Sequence, residues 1–109
     1  MNLKLSISTV VAALSGSASA ASCVRQRNAL YTYIINADGV DNISGICGSL
    51  WDNLKRFPAC VASATSCGPV GPGNPLQWKF NVGLGCNSGM VESTWWEATH
   101  NRFGSIDCP

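Results

Sequence analysis

The sequence predicts a small α+β sandwich that is held together by disulfides. Two stretches have the apolar spacing of amphipathic helices, and shorter stretches with β-type or alternating patterns flank each of them. Six cysteines in a chain of 109 residues add a disulfide framework. We therefore expect four strands and two helices in a single domain, since a chain of this length supports one core.

The N-terminus has the features of a secretory signal peptide at residues 1–20. Lys4 precedes an apolar stretch broken by small polar residues, and Ala18-Ser19-Ala20 has the small-x-small pattern of a cleavage site. The alternative, a membrane anchor, needs about 20 apolar residues to span a bilayer, and this run is far shorter. We expect cleavage after Ala20, secretion, and a mature domain at residues 21–109.

The first half of the mature chain predicts strand, helix and strand. Residues 29–35 (ALYTYII) are rich in aromatic and β-branched types and stop at a turn cluster, residues 36–39. From Asp41, a typical N-cap residue, apolar residues recur at helical spacing until Pro58 ends the helix. They are Ile43, Ile46, Cys47, Leu50, Trp51, Leu54 and Phe57. Residues 59–65 (ACVASAT) predict a short second strand.

The second half predicts strand, helix and strand again. Residues 68–75 (GPVGPGNP) are too rich in glycine and proline for a regular element and predict a loop. Residues 76–84 (LQWKFNVGL) alternate apolar and polar, as in a strand with one buried face. Ser88 is expected to cap a second helix over residues 89–102, and residues 105–108 to add a last short strand.

The predicted order is β-α-β-β-α-β, the ferredoxin-like layout, with a four-stranded antiparallel sheet and both helices on one face. In this layout the start of the first strand lies beside the end of the fourth. The start of the second strand adjoins the end of the third, and the first helix and the second strand share an edge. The expected disulfides are therefore Cys23–Cys108, Cys60–Cys86 and Cys47–Cys67. A zinc site is not expected, because the chain has no CxxC pair and one histidine.

The charges of the mature chain balance. Of the seven basic residues in the chain, Lys4 alone lies in the predicted signal peptide. The mature chain therefore has six basic and six acidic residues. Without a basic excess or cluster there is no electrostatic footprint for nucleic acid or an anionic membrane. We expect no cofactor, no nucleic-acid partner and no membrane insertion, and look for partners among extracellular proteins and glycans.

The second predicted helix carries the candidate binding residues. On a helical wheel Trp95 shares a stripe with Val91 and Ala98 and is expected to face the sheet. Glu92, Trp96 and His100 follow at i, i+4 and i+8 on a neighbouring stripe. One interpretation is that these three side chains form an aromatic and polar recognition patch. The alternative is that both tryptophans are buried in the core, Trp96 against the glycine-proline loop.

Catalytic groups are few. His100 could serve as a base with Glu97 or Glu92 near it in sequence, but no nucleophile motif accompanies it. The cysteines are expected to be consumed by disulfides, which removes the Cys–His option. We therefore expect no enzymatic activity.

Two further features bear on partners and modification. Trp78 is expected to face the helices, with Gln77, Lys79 and Asn81 on the opposite face of the sheet. That face is open to a partner, and exposed edge strands permit pairing of the sheet with a second copy. Asn42-Ile43-Ser44, at the start of the first predicted helix, fits the N-glycosylation pattern, so Asn42 is a candidate glycan acceptor. The pattern alone does not decide whether it is glycosylated.

Two stretches, GICGSLWDNL at residues 45–54 and CNSGMVESTWWEAT at residues 86–99, together resemble the small secreted cysteine-rich proteins of filamentous fungi, which include many effector candidates. The predicted layout is also similar to the α/β-sandwich fungal viral killer toxins and to a mushroom glycan-binding protein. Those two parallels are at the level of the fold, and a fold does not carry function. The resemblance implies an effector-like protein that binds outside the cell. Alternatives are a lectin-like carbohydrate-binding protein, a killer-toxin-like antagonist, and a small hydrolase using His100.

Overall fold

The computed structural model of the chain describes residues 21–109, so the predicted signal peptide lies outside the described residues. Six elements follow one another within this range. They are β1 (Ala21–Arg27), β2 (Tyr31–Ala37), α1 (Ile43–Leu54), β3 (Ser63–Pro69), β4 (Leu76–Val82) and α2 (Ser88–Thr99).

The strands form one four-stranded sheet in the order β1-β2-β4-β3, and every neighbouring pair is antiparallel. In the central pair Tyr33 lies opposite Phe80 and Ile35 opposite Trp78, so these four side chains share one face. All four are fully buried. The predicted α+β sandwich with a four-stranded antiparallel sheet, two helices and three disulfides is confirmed.

Both helices bury one face in a single core cluster with this side of the sheet. From α1 the buried residues are Ile46, Cys47, Leu50 and Leu54, and from α2 they are Val91, Thr94, Trp95, Ala98 and Thr99. On the other side of the sheet Lys79 is exposed, with Gln77 and Asn81 half-buried beside it, as predicted. Neither helix combines the length and the apolar character that a membrane span needs.

All three predicted disulfides form: Cys23–Cys108, Cys47–Cys67 and Cys60–Cys86. The first joins β1 to the C-terminal segment, the second joins α1 to β3, and the third joins the loop after α1 to the residues before α2. No cysteine of the described chain is free. The bridges therefore tie both edge strands and α1 to neighbouring segments, whereas the central strands β2 and β4 carry no cysteine.

The order of the elements differs from the prediction, because it is β-β-α-β-β-α. β1 was not predicted, and residues 105–108 form no strand. β1 takes the sheet position expected for the last strand, at the edge next to β2, so the fold is a circular permutation of the predicted layout. An edge position tolerates the polar residues of ASCVRQR. The guanidinium of Arg25 lies 4.3 Å from the centroid of the Tyr31 ring, which is a cation–π contact between β1 and β2.

Several boundaries also move. The second predicted strand, at residues 59–65, begins only at Ser63, because the chain first makes a turn in which Cys60 N–H donates to the Phe57 carbonyl at 2.8 Å. The strand then runs into the predicted loop as far as Pro69. Proline is tolerated there because β3 is an edge strand and needs no donor on its outer side.

Both helices begin and end differently from the prediction. Asn42, not Asp41, is the N-cap of α1, in a left-handed conformation and without a side-chain cap. Asn87, not Ser88, caps α2, and its side-chain oxygen accepts from Met90 N–H at 3.0 Å. Each helix ends three residues before its predicted limit, at Leu54 and Thr99.

Candidate functional site

The two adjacent tryptophans of α2 face in different directions. Trp95 is fully buried, and its indole N–H donates to the Gly104 carbonyl at 2.8 Å. Trp96 is 48% exposed. The interpretation that both rings lie in the core is therefore wrong, and Trp96 is available on the surface.

The other two members of the predicted patch are placed less favourably for binding. The half-buried carboxylate of Glu92 accepts from the backbone N–H of Cys108 at 2.8 Å, so it is engaged in holding the C-terminal segment. His100 is exposed, but it follows the last helical residue and has a left-handed backbone with φ of 53°. It therefore lies on the turn after α2 rather than within the helix that carries Glu92 and Trp96, and the three-residue recognition patch stays a prediction.

The early end of α2 has a local cause. The hydroxyl of Thr99 donates to the Trp95 carbonyl at 2.8 Å, and that of Thr94 donates to the Met90 carbonyl at 2.8 Å. His100 and Asn101 then both adopt positive φ, which ends the helix. Such bonds from threonine back to the preceding turn weaken a helix slightly.

A second candidate site, which we call the Trp51 cleft, lies at the end of α1. It has a volume of about 520 Å³. The loop between α1 and β3 provides one side of it, and the last turn of α1 provides another. Its lining residues are Trp51, Leu54, Lys55, Phe57, Pro58, Cys60, Val61, Ala62 and Thr65. Apart from Lys55 and Thr65 these side chains are apolar.

The floor of the Trp51 cleft rests on the core. The half-buried Trp51 ring meets Trp78 edge to face, with centroids 5.8 Å apart and an angle of 69° between the planes. It meets Phe80 in the same manner at 6.1 Å. Edge-to-face pairs of this kind are favourable, so the inner side of Trp51 is fixed while another part of it lines the cleft.

The loop wall is held by backbone hydrogen bonds and by a disulfide. Phe57 N–H donates to the Leu54 carbonyl at 3.0 Å, and Cys60 N–H donates to the Phe57 carbonyl at 2.8 Å. Cys60 is itself bonded to Cys86. Because the wall is already ordered, a ligand would not have to spend binding free energy on ordering it.

The rim of the Trp51 cleft combines an exposed apolar side chain with a cation. Val61 is 80% exposed, more than any other large hydrophobic residue in the described part of the chain. Lys55 is the one charged residue of the lining. Between residues 21 and 109 the one ion pair joins Arg102 and Asp41, so Lys55 has no carboxylate partner there.

Sequence reasoning missed the Trp51 cleft because it assigned Trp51, Leu54 and Phe57 to the apolar face of a helix. The helix ends at Leu54, so Phe57 lies on the loop instead. One signal was available. The segment FPACVA at residues 57–62 continues the apolar run beyond the helix-ending proline, more than a solvated connection needs.

The described residues hold no group of three or more histidine, cysteine, aspartate or glutamate side chains placed to bind a metal. The possible glycan acceptor Asn42 is exposed at the start of α1, and its modification stays a prediction. Comparison of the chain with protein-family models, with curated proteins and with solved structures finds no match.

Proposed function

We propose that this protein is secreted and acts outside the cell by binding, with the Trp51 cleft as its ligand site. The observation that carries the proposal is the cleft itself, which is apolar, open and pre-ordered, with a disulfide in its wall. The oxidised state of all described cysteines supports an extracellular role, since structural disulfides persist in oxidising compartments.

The size and lining of the Trp51 cleft fit a small ligand. Ligand sites have volumes of roughly 300 to 1,000 Å³ and are lined mainly by apolar and aromatic side chains with a few polar groups. The Trp51 cleft falls within this range at about 520 Å³, with Lys55 and Thr65 as its polar groups. The exposed side chain of Val61 extends the apolar lining to the rim of the cleft.

Binding is favoured over catalysis by the state of Glu92 and His100, two of the groups that a hydrolase would use. The Glu92 carboxylate is engaged by Cys108 N–H, and His100 lies on the turn after α2. An effector-like role, in which a small secreted protein sequesters or recognises a compound or a host component, agrees with these features and with the resemblance to fungal secreted proteins.

A neutral fluorescent probe tests the proposal. We expect N-phenyl-1-naphthylamine to bind the oxidised protein at one saturable site and to receive energy from tryptophan, because Trp51 lines the cleft. Val61→Asp should weaken this binding by at least about fivefold, since it places a charge at an apolar rim. The matched control is Val24→Asp, which introduces the same charge at a position on β1 that is 49% exposed and outside the cleft lining.

The outcomes are distinct. Saturable binding that Val61→Asp weakens and Val24→Asp leaves unchanged supports the Trp51 cleft as the ligand site. Absence of saturable binding, or equal effects of the two variants, contradicts it. Far-ultraviolet circular dichroism confirms that each variant is folded.

Glycan recognition through Trp96 is a second candidate, and the exposure of its ring favours it. An exposed indole can stack on a sugar or anchor a protein partner. A glycan array with the oxidised protein and its Trp96→Ala variant tests this. Selective binding that the variant loses would make the protein lectin-like, whereas a blank array with the intact fold would count against glycan recognition.

A further inference from the structure

The charge at the Trp51 cleft has one sign. Lys55 contributes the one formal charge of the lining, and no carboxylate lines the cleft with it. Asp52 and Arg56, the exposed charged residues nearest to Lys55 in the sequence, are outside the lining. A lysine can place its apolar stem along a wall and its ammonium group in solvent, which suits the rim of an open cleft.

The fold does not need this ammonium group to cap α1. Lysine near a helix C-terminus often satisfies terminal carbonyls and the negative end of the helix dipole. Here the carbonyls of Trp51, Asn53 and Leu54 accept backbone N–H groups of Lys55, Arg56 and Phe57 at 3.0 to 3.2 Å. The Lys55 side chain is therefore free to meet a ligand.

We infer that the Trp51 cleft prefers apolar ligands that carry one anionic group, and that Lys55 is the residue that sets this preference. The ligand class is an aliphatic or aromatic carboxylate, whose apolar body covers Trp51 and Val61 while its carboxylate meets the Lys55 ammonium. The inference rests on the proposed function and deepens it. Sugars fit this lining poorly, because it offers few polar groups for their hydroxyls.

Three ligands with the same alkyl chain and different heads test the inference: decanoate, decanol and decylammonium. Each ligand is titrated at neutral pH as a competitor against N-phenyl-1-naphthylamine bound to the oxidised protein, and the displacement of the probe is measured. We expect decanoate to bind about two- to fivefold more tightly than decanol, which is the range for an ion pair near solvent, and decylammonium to bind most weakly. The preference for decanoate should shrink as salt is added.

Two Lys55 variants and one control assign the preference to this side chain. Lys55→Gln should make decanoate and decanol equal, and Lys55→Glu should reverse their order. The control is Lys79→Gln, which removes a positive charge from the opposite face of the sheet and should keep the wild-type preference. Both substituted positions, Lys55 and Lys79, are exposed, so folding is preserved.

The result that overturns the inference is equal displacement by decanoate and decanol in the wild type, or a preference that survives Lys55→Gln. In either case the Trp51 cleft would still be an apolar ligand site, because displacement of the probe is observed. A failure of the proposed function is different: the probe itself then shows no saturable binding, before any competitor is added.

Discussion

The carboxylate of Glu92 accepts a hydrogen bond from the backbone N–H of Cys108, with 2.8 Å between oxygen and nitrogen. Cys108 is also joined to Cys23 on β1, so one residue links the last segment to both α2 and the sheet edge. This segment makes no strand, yet Ile106 and Cys108 are buried. Glu92 therefore supplies the acceptor that a neighbouring strand would otherwise provide.

The first prediction concerns Glu92. Replacing it with alanine leaves the N–H of Cys108 without its charged acceptor and should lower the free energy of unfolding by about 1.5 to 3 kcal/mol. Glu92→Gln keeps an acceptor oxygen and should cost clearly less. Urea denaturation of the oxidised protein measures both. Unchanged stability with reduced ligand binding would instead indicate that Glu92 takes part in binding, as in the predicted recognition patch.

The second prediction compares two disulfides. In the chain-entropy treatment a bridge stabilises by restricting the unfolded chain, more so when it closes a longer loop. Cys23–Cys108 spans 85 residues and Cys47–Cys67 spans 20, which correspond to about 4.5 and about 3.3 kcal/mol. Replacing the first pair with serines should therefore destabilise the protein more than replacing the second. Urea denaturation decides, and the opposite order would contradict the entropic account.

The third prediction contrasts Trp95 with Trp96. Trp95→Ala empties a fully buried site and breaks the bond to the Gly104 carbonyl, so it should cost about 3 to 5 kcal/mol. Trp96→Ala at the surface should change stability by less than about 0.5 kcal/mol. Thermal unfolding followed by circular dichroism compares them. If Trp95→Ala fails to fold, Trp95→Phe serves as a milder variant that still removes the donor. A large loss in Trp96→Ala would show that its ring supports the core.

Residue periodicity predicted most of the core and the disulfides. The spacing in α1 identified Ile46, Leu50 and Leu54 as its buried face, and the alternation in β4 placed Trp78 inward. Topology then paired all six cysteines correctly even though the strand order was permuted. The reason is that β1 occupies the same edge as the predicted last strand, so Cys23 still meets Cys108.

What the sequence did not reveal depends on contacts between distant segments. β1 has no regular alternation of apolar residues, and it is held at the edge by pairing with β2, by the stacking of Arg25 on Tyr31 and by the Cys23–Cys108 disulfide. The engagement of Glu92 needed the position of Cys108, sixteen residues away. The Trp51 cleft likewise brings α1 together with the following loop and with Thr65 of β3, and this arrangement follows from the early end of the helix, which the periodicity did not predict.

The last prediction uses two glycines of α1 as a matched pair. A Cβ at Gly48 meets no atom within 4 Å, so Gly48→Ala gains helix propensity and should stabilise the protein by roughly 0.5 to 1 kcal/mol. A Cβ at Gly45 collides with the side-chain amide of Asn42, so Gly45→Ala should gain less or destabilise. Asn42→Gly removes that amide and tolerates the left-handed backbone at this position, so the double variant Asn42→Gly/Gly45→Ala should be more stable than Asn42→Gly alone. Urea denaturation of protein made without glycans measures the series, and equal effects of the two alanines would show that the Asn42 side chain moves aside without cost.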